Sequence, residues 1–96
     1  MSNLNIKFVN DLDFKFIHDL IMEHNIYEVC FQEDYDDIDL DHMFTIAHLI
    51  QLLSPDIHLT YDTFRTEYPL NELSAEISLR EIPFDCVVLD GKEFTL

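Results

Sequence analysis

Fifteen uncompensated negative charges are the first thing any fold of this chain has to accommodate, because twenty Asp and Glu face only five Lys and Arg in 96 residues. Like charges in a compact body repel, and an acidic chain poor in apolar residues stays disordered because burial cannot offset the entropy lost on ordering. This chain is not poor in them. Leu, Ile, Val and Phe make up 35 of the 96 residues, well above the roughly one-fifth below which highly charged chains fail to fold. A core is therefore expected. With no Pro-, Gly- or Ser-rich stretch to divide the chain, residues 1–96 read as one domain. A net charge of magnitude about 2–8 would suffice to keep a small domain soluble. The excess points to a working surface made of charge.

Apolar periodicity supplies the elements. Leu4, Ile6 and Phe8 alternate with Asn5, Lys7 and Val9 over residues 4–9, the period of a half-buried strand. Asn10 and Asp11 offer a cap for a helix over 11–24, in which Leu12, Phe16, Ile17, Leu20 and Ile21 share one face. Residues 26–32 are β-branched and aromatic enough for a second strand. A second helix is expected over 40–53, with Met43, Ile46, Ala47, Ile50 and Leu53 as its apolar stripe and Ser54-Pro55 as its stop. Beyond it, 57–61 and 64–68 read as two short strands turning at Asp62. Residues 70–82 fit either period, and a strand over 75–82 is the preferred reading. Residues 86–89 and 92–96 form a hairpin around Asp90-Gly91, the position where the chain's single glycine is needed. The expected class is α+β: a β-α-β-α start, then a strand-rich half, in an antiparallel or mixed sheet with two helices on one face.

Several chemistries are disfavoured. One glycine cannot build a phosphate-binding loop, and Lys7, Lys15, Arg65, Arg80 and Lys92 are too scattered for a basic patch, so direct nucleic-acid binding is not expected. Taking Asp37 as the first position of a calcium loop puts His42 where a glycine is required and His48 where a bidentate Glu is required. The histidine pairs 18/24 and 42/48 are spaced by six rather than four, so no metal or other cofactor is expected. No residue spacing favours a nucleophile with its base, and the reading is of a protein that is not an enzyme. MSNLNIKFVND has no basic segment followed by a long apolar run, so neither a signal peptide nor a membrane span is expected and the location is cytoplasmic. Cys30 and Cys86 lie in apolar contexts outside any C-x-x-C pattern and read as free buried thiols, with a disulfide between them the alternative that geometry decides.

The charge is densest from Glu33 to Asp41, where six of nine residues are acidic: Glu33, Asp34, Asp36, Asp37, Asp39 and Asp41. Asp62, Glu67, Glu72 and Glu76 make a second candidate set. Duplex DNA carries one charge per about 1.7 Å of axis, and a globule of this size carrying fifteen charges approaches that density. In size, charge and lack of catalytic motifs the whole chain resembles the small acidic DNA-mimic proteins with which phages block restriction enzymes, CRISPR nucleases and related host defences. Such mimics share no common fold or motif, and no residue role is transferred. The resemblance implies an inhibitor whose partner is a basic nucleic-acid-binding protein such as a nuclease, acting alone or as a homodimer that presents a longer acidic surface. The alternative is an immunity protein or antitoxin that neutralises one basic toxin, anchored by aromatic residues such as Tyr27, Tyr35 or Tyr61.

Overall fold

The computed structural model describes residues 2–33, 37–64 and 83–95 of the chain. Its elements are β1 (Ser2–Lys7), α1 (Phe14–His24), β2 (Ile26–Glu33), α2 (Leu40–Leu53), β3 (His58–Thr63), β4 (Cys86–Leu89) and β5 (Lys92–Thr95). The expected strands over 64–68 and 75–82 lie almost wholly outside the described residues. The five strands form one sheet in the order β1-β2-β3-β4-β5. β1 to β4 are mutually parallel, and β5 returns antiparallel beside β4. The sheet is thus mixed, within an α+β arrangement that starts strand-helix-strand-helix.

The local chemistry explains the boundaries. Asp13, not Asn10 or Asp11, caps α1, accepting a hydrogen bond from the Lys15 backbone N–H at 3.1 Å. The helix ends where Asn25 takes the left-handed conformation (φ 52°), which Asn tolerates better than most side chains. Asp39 caps α2 in the same way, accepting from the His42 N–H at 3.1 Å, and α2 spans the expected 40–53. The turn expected at Asp62 does not exist: Asp62 is inside β3, in register with Gln32 of β2 and Val88 of β4. The first of the two expected strands continues through Asp62 to Thr63 as one parallel strand with pairing partners on both sides. At the C-terminal hairpin Asp90 (φ 47°) and Gly91 (φ 82°) both adopt positive φ, as a two-residue turn requires.

Successive crossovers that step the same way along a sheet with the same hand leave their helices on the same face. Both helices here pack on the face formed by Val29 and Phe31 of β2, Leu59 and Tyr61 of β3, and Val87 of β4. From α2 come Leu40, Met43, Phe44, Ile46, Ala47 and Ile50; from α1 only Ile17 and Ile21 are buried. The stripes are narrower than expected, since Phe16 is 57% and Leu53 59% exposed. The centre of the core is aromatic: Phe84 meets Phe31, Phe44 and Tyr61 at centroid distances of 6.1, 5.3 and 5.5 Å.

Strand alternation sends the other side chains to the opposite face: Asn5 and Lys7 of β1, Cys30 and Gln32 of β2, Thr60 and Asp62 of β3, Cys86 and Val88 of β4. Parallel sheets are ordinarily apolar on both faces; this one is apolar on one. Cys30 is in register with Thr60 and Thr60 with Cys86, so the two thiols stand two strand spacings, roughly 9–10 Å, apart. That exceeds the ~7 Å limit between Cα atoms for a disulfide, and both cysteines are free.

Burial, reinforced by the carboxylates of Asp62 and Glu28, pushes the Cys30 thiol up to about 11. Burial and a hydrogen bond from Sγ to Glu93 Oε1 at 3.3 Å do the same for Cys86. Thiolate, not thiol, is the nucleophile. Iodoacetamide labelling of the folded protein at pH 8 is therefore expected to run about a hundredfold slower than for a free cysteine, with a pH profile rising towards 11. Raised folded pKa values give stability that is complete below the ordinary thiol range and is lost as pH climbs towards 11. A labelling profile centred near 8.5 in the folded protein would contradict both statements.

Candidate functional site

Because β1 to β4 are parallel, their C-terminal ends lie at one edge of the sheet, and the segments leaving them share that edge. The acidic residues concentrate there. Asp11 and Asp13 lie between β1 and the start of α1; Asp37, Asp39 and Asp41 lead into α2 and form its first turn; Asp62 is near the end of β3, and Asp90 follows β4. Asp11, Asp13, Asp37, Asp39, Asp41 and Asp90 are exposed, and Asp62 is half-buried. Lysines near this edge are fewer: Lys7, Lys92, and Lys15, whose ammonium pairs with Asp19 at 2.8 Å. The N-terminal ends of both helices point the same way, and each carries a partial positive charge that favours nearby carboxylates by ~0.3–1 kcal/mol. The fold thus places aspartates where the backbone offsets part of their repulsion.

The two acidic loops are joined. Asn10 Nδ2 donates to the Asp37 carbonyl at 2.6 Å, and its Oδ1 accepts from the Asp39 N–H at 2.6 Å. His42 Nε2 donates to the Leu12 carbonyl at 2.8 Å, with its ring tilted against Phe8. The Asp90 N–H donates to the Thr63 carbonyl at 3.0 Å, tying the hairpin turn to the end of β3. These contacts hold aspartates from three connections in a set arrangement, which lowers the ordering cost a charged surface would meet on binding.

Between the strand ends is a cavity of about 330 Å³. It is lined by Lys7, Gln32, Glu33, Asp62, Thr63, Phe64, Asp90 and Gly91.

Of the acids singled out in the sequence, Asp37, Asp39 and Asp41 come together as an exposed group and Asp62 joins the same edge. Asp34, Asp36, Glu67, Glu72 and Glu76 lie outside the described residues, as does Tyr35. Glu33 departs from the expectation: it is 3% exposed. β2 runs one residue further than expected, so Glu33 takes the inward alternation of Val29 and Phe31, and its carboxylate accepts a hydrogen bond from the Tyr61 hydroxyl. Tyr61 is itself fully buried, which removes it as an interface anchor; Tyr27 is 45% exposed and stays available. Sequence reasoning missed Asn10, Asp11, Asp13 and Asp90, whose grouping with the α2 acids depends on the parallel order of the strands. Among the described residues no group of three or more His, Cys, Asp or Glu is arranged to hold a metal ion, and no helix is long and apolar enough to cross a membrane.

Comparison with protein-family models, with curated proteins and with solved structures gives no match.

Proposed function

We propose that this protein is an acidic inhibitor that occupies the DNA-binding groove of a basic nucleic-acid-binding protein, such as a host-defence nuclease, in the cytoplasm of a phage-infected cell. The observation that carries this reading is the gathering of aspartates from three connections at the C-terminal edge of the sheet, held together by Asn10 and the turn at Asp90. The body measures 35 × 25 × 25 Å and bears a net charge of −15, or about one charge per 2.3 Å of its long axis. B-DNA bears one per about 1.7 Å. Carboxylates at that density can stand in for phosphates in a basic groove and steer association at long range.

The test is an affinity capture from host lysate at low and high salt, eluted with excess duplex DNA, run in parallel with the triple variant Asp37→Asn, Asp39→Asn, Asp41→Asn. Asn caps a helix as well as Asp does, so the variant removes three charges while α2 keeps its cap. The expected result is retention of a DNA-binding protein that duplex displaces, released by salt because screening weakens exposed charge pairs, with affinity roughly tenfold or more lower for the variant. A partner that survives high salt and ignores duplex would overturn mimicry. If that partner were also lost on Tyr27→Ala, the result would favour a toxin antagonist.

A further inference from the structure

We propose that the apolar groove between the C-terminal ends of α1 and α2 docks a second copy of this chain, in a two-fold symmetric dimer. Both helices run back from the acidic edge of the sheet and end at the opposite edge, where Asn25 leads into β2 and residues 54–57 lead into β3. Between those ends is a cavity of about 410 Å³, whose apolar lining is Ile21, Met22, Ile26, Leu53, Pro55 and Ile57. The other described residues that line it are Asn25, Ser54 and Asp56, so a single charged group is among them. Its walls are held before anything binds: the Asn25 N–H donates to the Ile21 carbonyl, the Ser54 N–H to the Ile50 carbonyl at 2.7 Å and the Ile57 N–H to the Ser54 carbonyl at 3.0 Å.

Area, shape and charge select a second copy as the occupant. Met22, Leu52 and Leu53 are 67%, 77% and 59% exposed, and Leu49, Leu52 and Leu53 adjoin at i, i+3 and i+4 on the last turns of α2. Met22 and Leu53 meet at the cavity, so these side chains form one contiguous patch of a few hundred Å², the size that marks an interaction surface rather than scattered exposure. Two such patches with their polar margins approach the low end of specific interfaces, about 1,200 Å² in total. A two-fold interface must also carry its own complement on the same patch. Leu52, the most exposed of these side chains, is next to Leu53, which lines the hollow, so protrusion and hollow are neighbours. Two bodies of net charge −15 repel one another. Joining them at the helix C-terminal ends turns both acidic edges outwards, whereas a basic partner is drawn to those edges and finds at the groove little charge to meet.

The experiment is sedimentation equilibrium of the full chain over about 1 μM to 1 mM, in about 0.1 M and 1 M NaCl, between which the screening length falls from ~10 to ~3 Å. The expected result is a mass that rises with concentration from 11.4 kDa towards twice that value. The dissociation constant should be several-fold lower at high salt, because screening relieves the repulsion between copies and leaves the apolar contact intact. That salt dependence is opposite in sign to the one expected for capture of a basic protein. The double variant Met22→Gln, Leu52→Gln should weaken association about tenfold or more. Phe16→Gln, on α1 and 57% exposed but off the groove lining, should leave it unchanged. All three side chains are exposed, and thermal melts show that each variant is folded. A chain that stays monomeric at 1 mM and high salt, association that weakens with salt, or a dimer indifferent to Met22 and Leu52 would overturn the proposal. A monomer that captures another protein through Met22 and Leu52 would overturn it too and give the groove to that partner. A salt-strengthened dimer that captures no DNA-binding protein would leave the groove standing and the mimic reading fallen; a monomer that captures one at its acidic edge would do the reverse.

Discussion

Phe84→Ala is expected to destabilise the protein by about 3–5 kcal/mol, the range for removing a large buried aromatic side chain. Phe84 is 4% exposed and lies just before β4, yet its ring sits among Phe31 from β2, Phe44 from α2 and Tyr61 from β3. Its loss would leave a cavity bordered by three rings from three elements, none of which can collapse into it without breaking strand register or helix packing. A domain of this size has about 5–15 kcal/mol in hand, and here fifteen net charges already work against compaction. A shift of 4–8 °C in Tm per kcal/mol, typical for 60–100 residues, puts the expected loss at roughly 12 °C or more. Phe84→Leu should recover much of it by refilling the volume. Differential scanning calorimetry checks both, and a drop of only a degree or two for Phe84→Ala would show that the ring cluster is not the centre of the core.

Tyr61→Phe is expected to cost about 2–3 kcal/mol, more than loss of a hydroxyl costs at a neutral partner. The ring stays, with its edge contact to Phe44, so packing is nearly unchanged. What disappears is the donor to the buried Glu33 carboxylate, and hydrogen bonds to charged groups are worth ~1.5–3 kcal/mol. Taking one partner from a buried charge leaves that charge less well compensated than before, which is why such deletions exceed the worth of the pair itself. Glu33→Gln removes the charge while keeping an acceptor, so adding it to Tyr61→Phe should cost less than the two single changes together. Chemical denaturation of the four proteins of this cycle gives the coupling directly. Strict additivity would mean that the hydroxyl and the carboxylate do not act as a pair.

The same residue pair shows how far a reading of the sequence reaches at this site. Glu33 opens the densest acidic run, and its neighbours Asp37, Asp39 and Asp41 are exposed as expected. Nothing local distinguishes Glu33 from them. Its burial follows from β2 continuing for one more residue and from the alternation that turns Val29, Phe31 and Glu33 to the helices, where a hydroxyl from a strand 28 residues away is waiting. Likewise Asp62 looked like a turn residue because a lone aspartate between two alternating stretches usually marks one. Pairing with Gln32 on one side and Val88 on the other held it in an extended strand.

Features that depend on near neighbours along the chain were legible from the residues alone. Periodicity placed α2 at its observed residues and set the two halves of the C-terminal hairpin around the positive-φ pair Asp90 and Gly91; the apolar fraction guaranteed a core in spite of the charge. The tertiary structure alone decided that four strands run parallel, because strand direction is fixed by which crossover the helices can pack beneath and not by any residue's own preference. That decision brings the ends of β1 to β4 to one edge. It turns aspartates distant in sequence, from Asp11 to Asp90, into a single acidic surface.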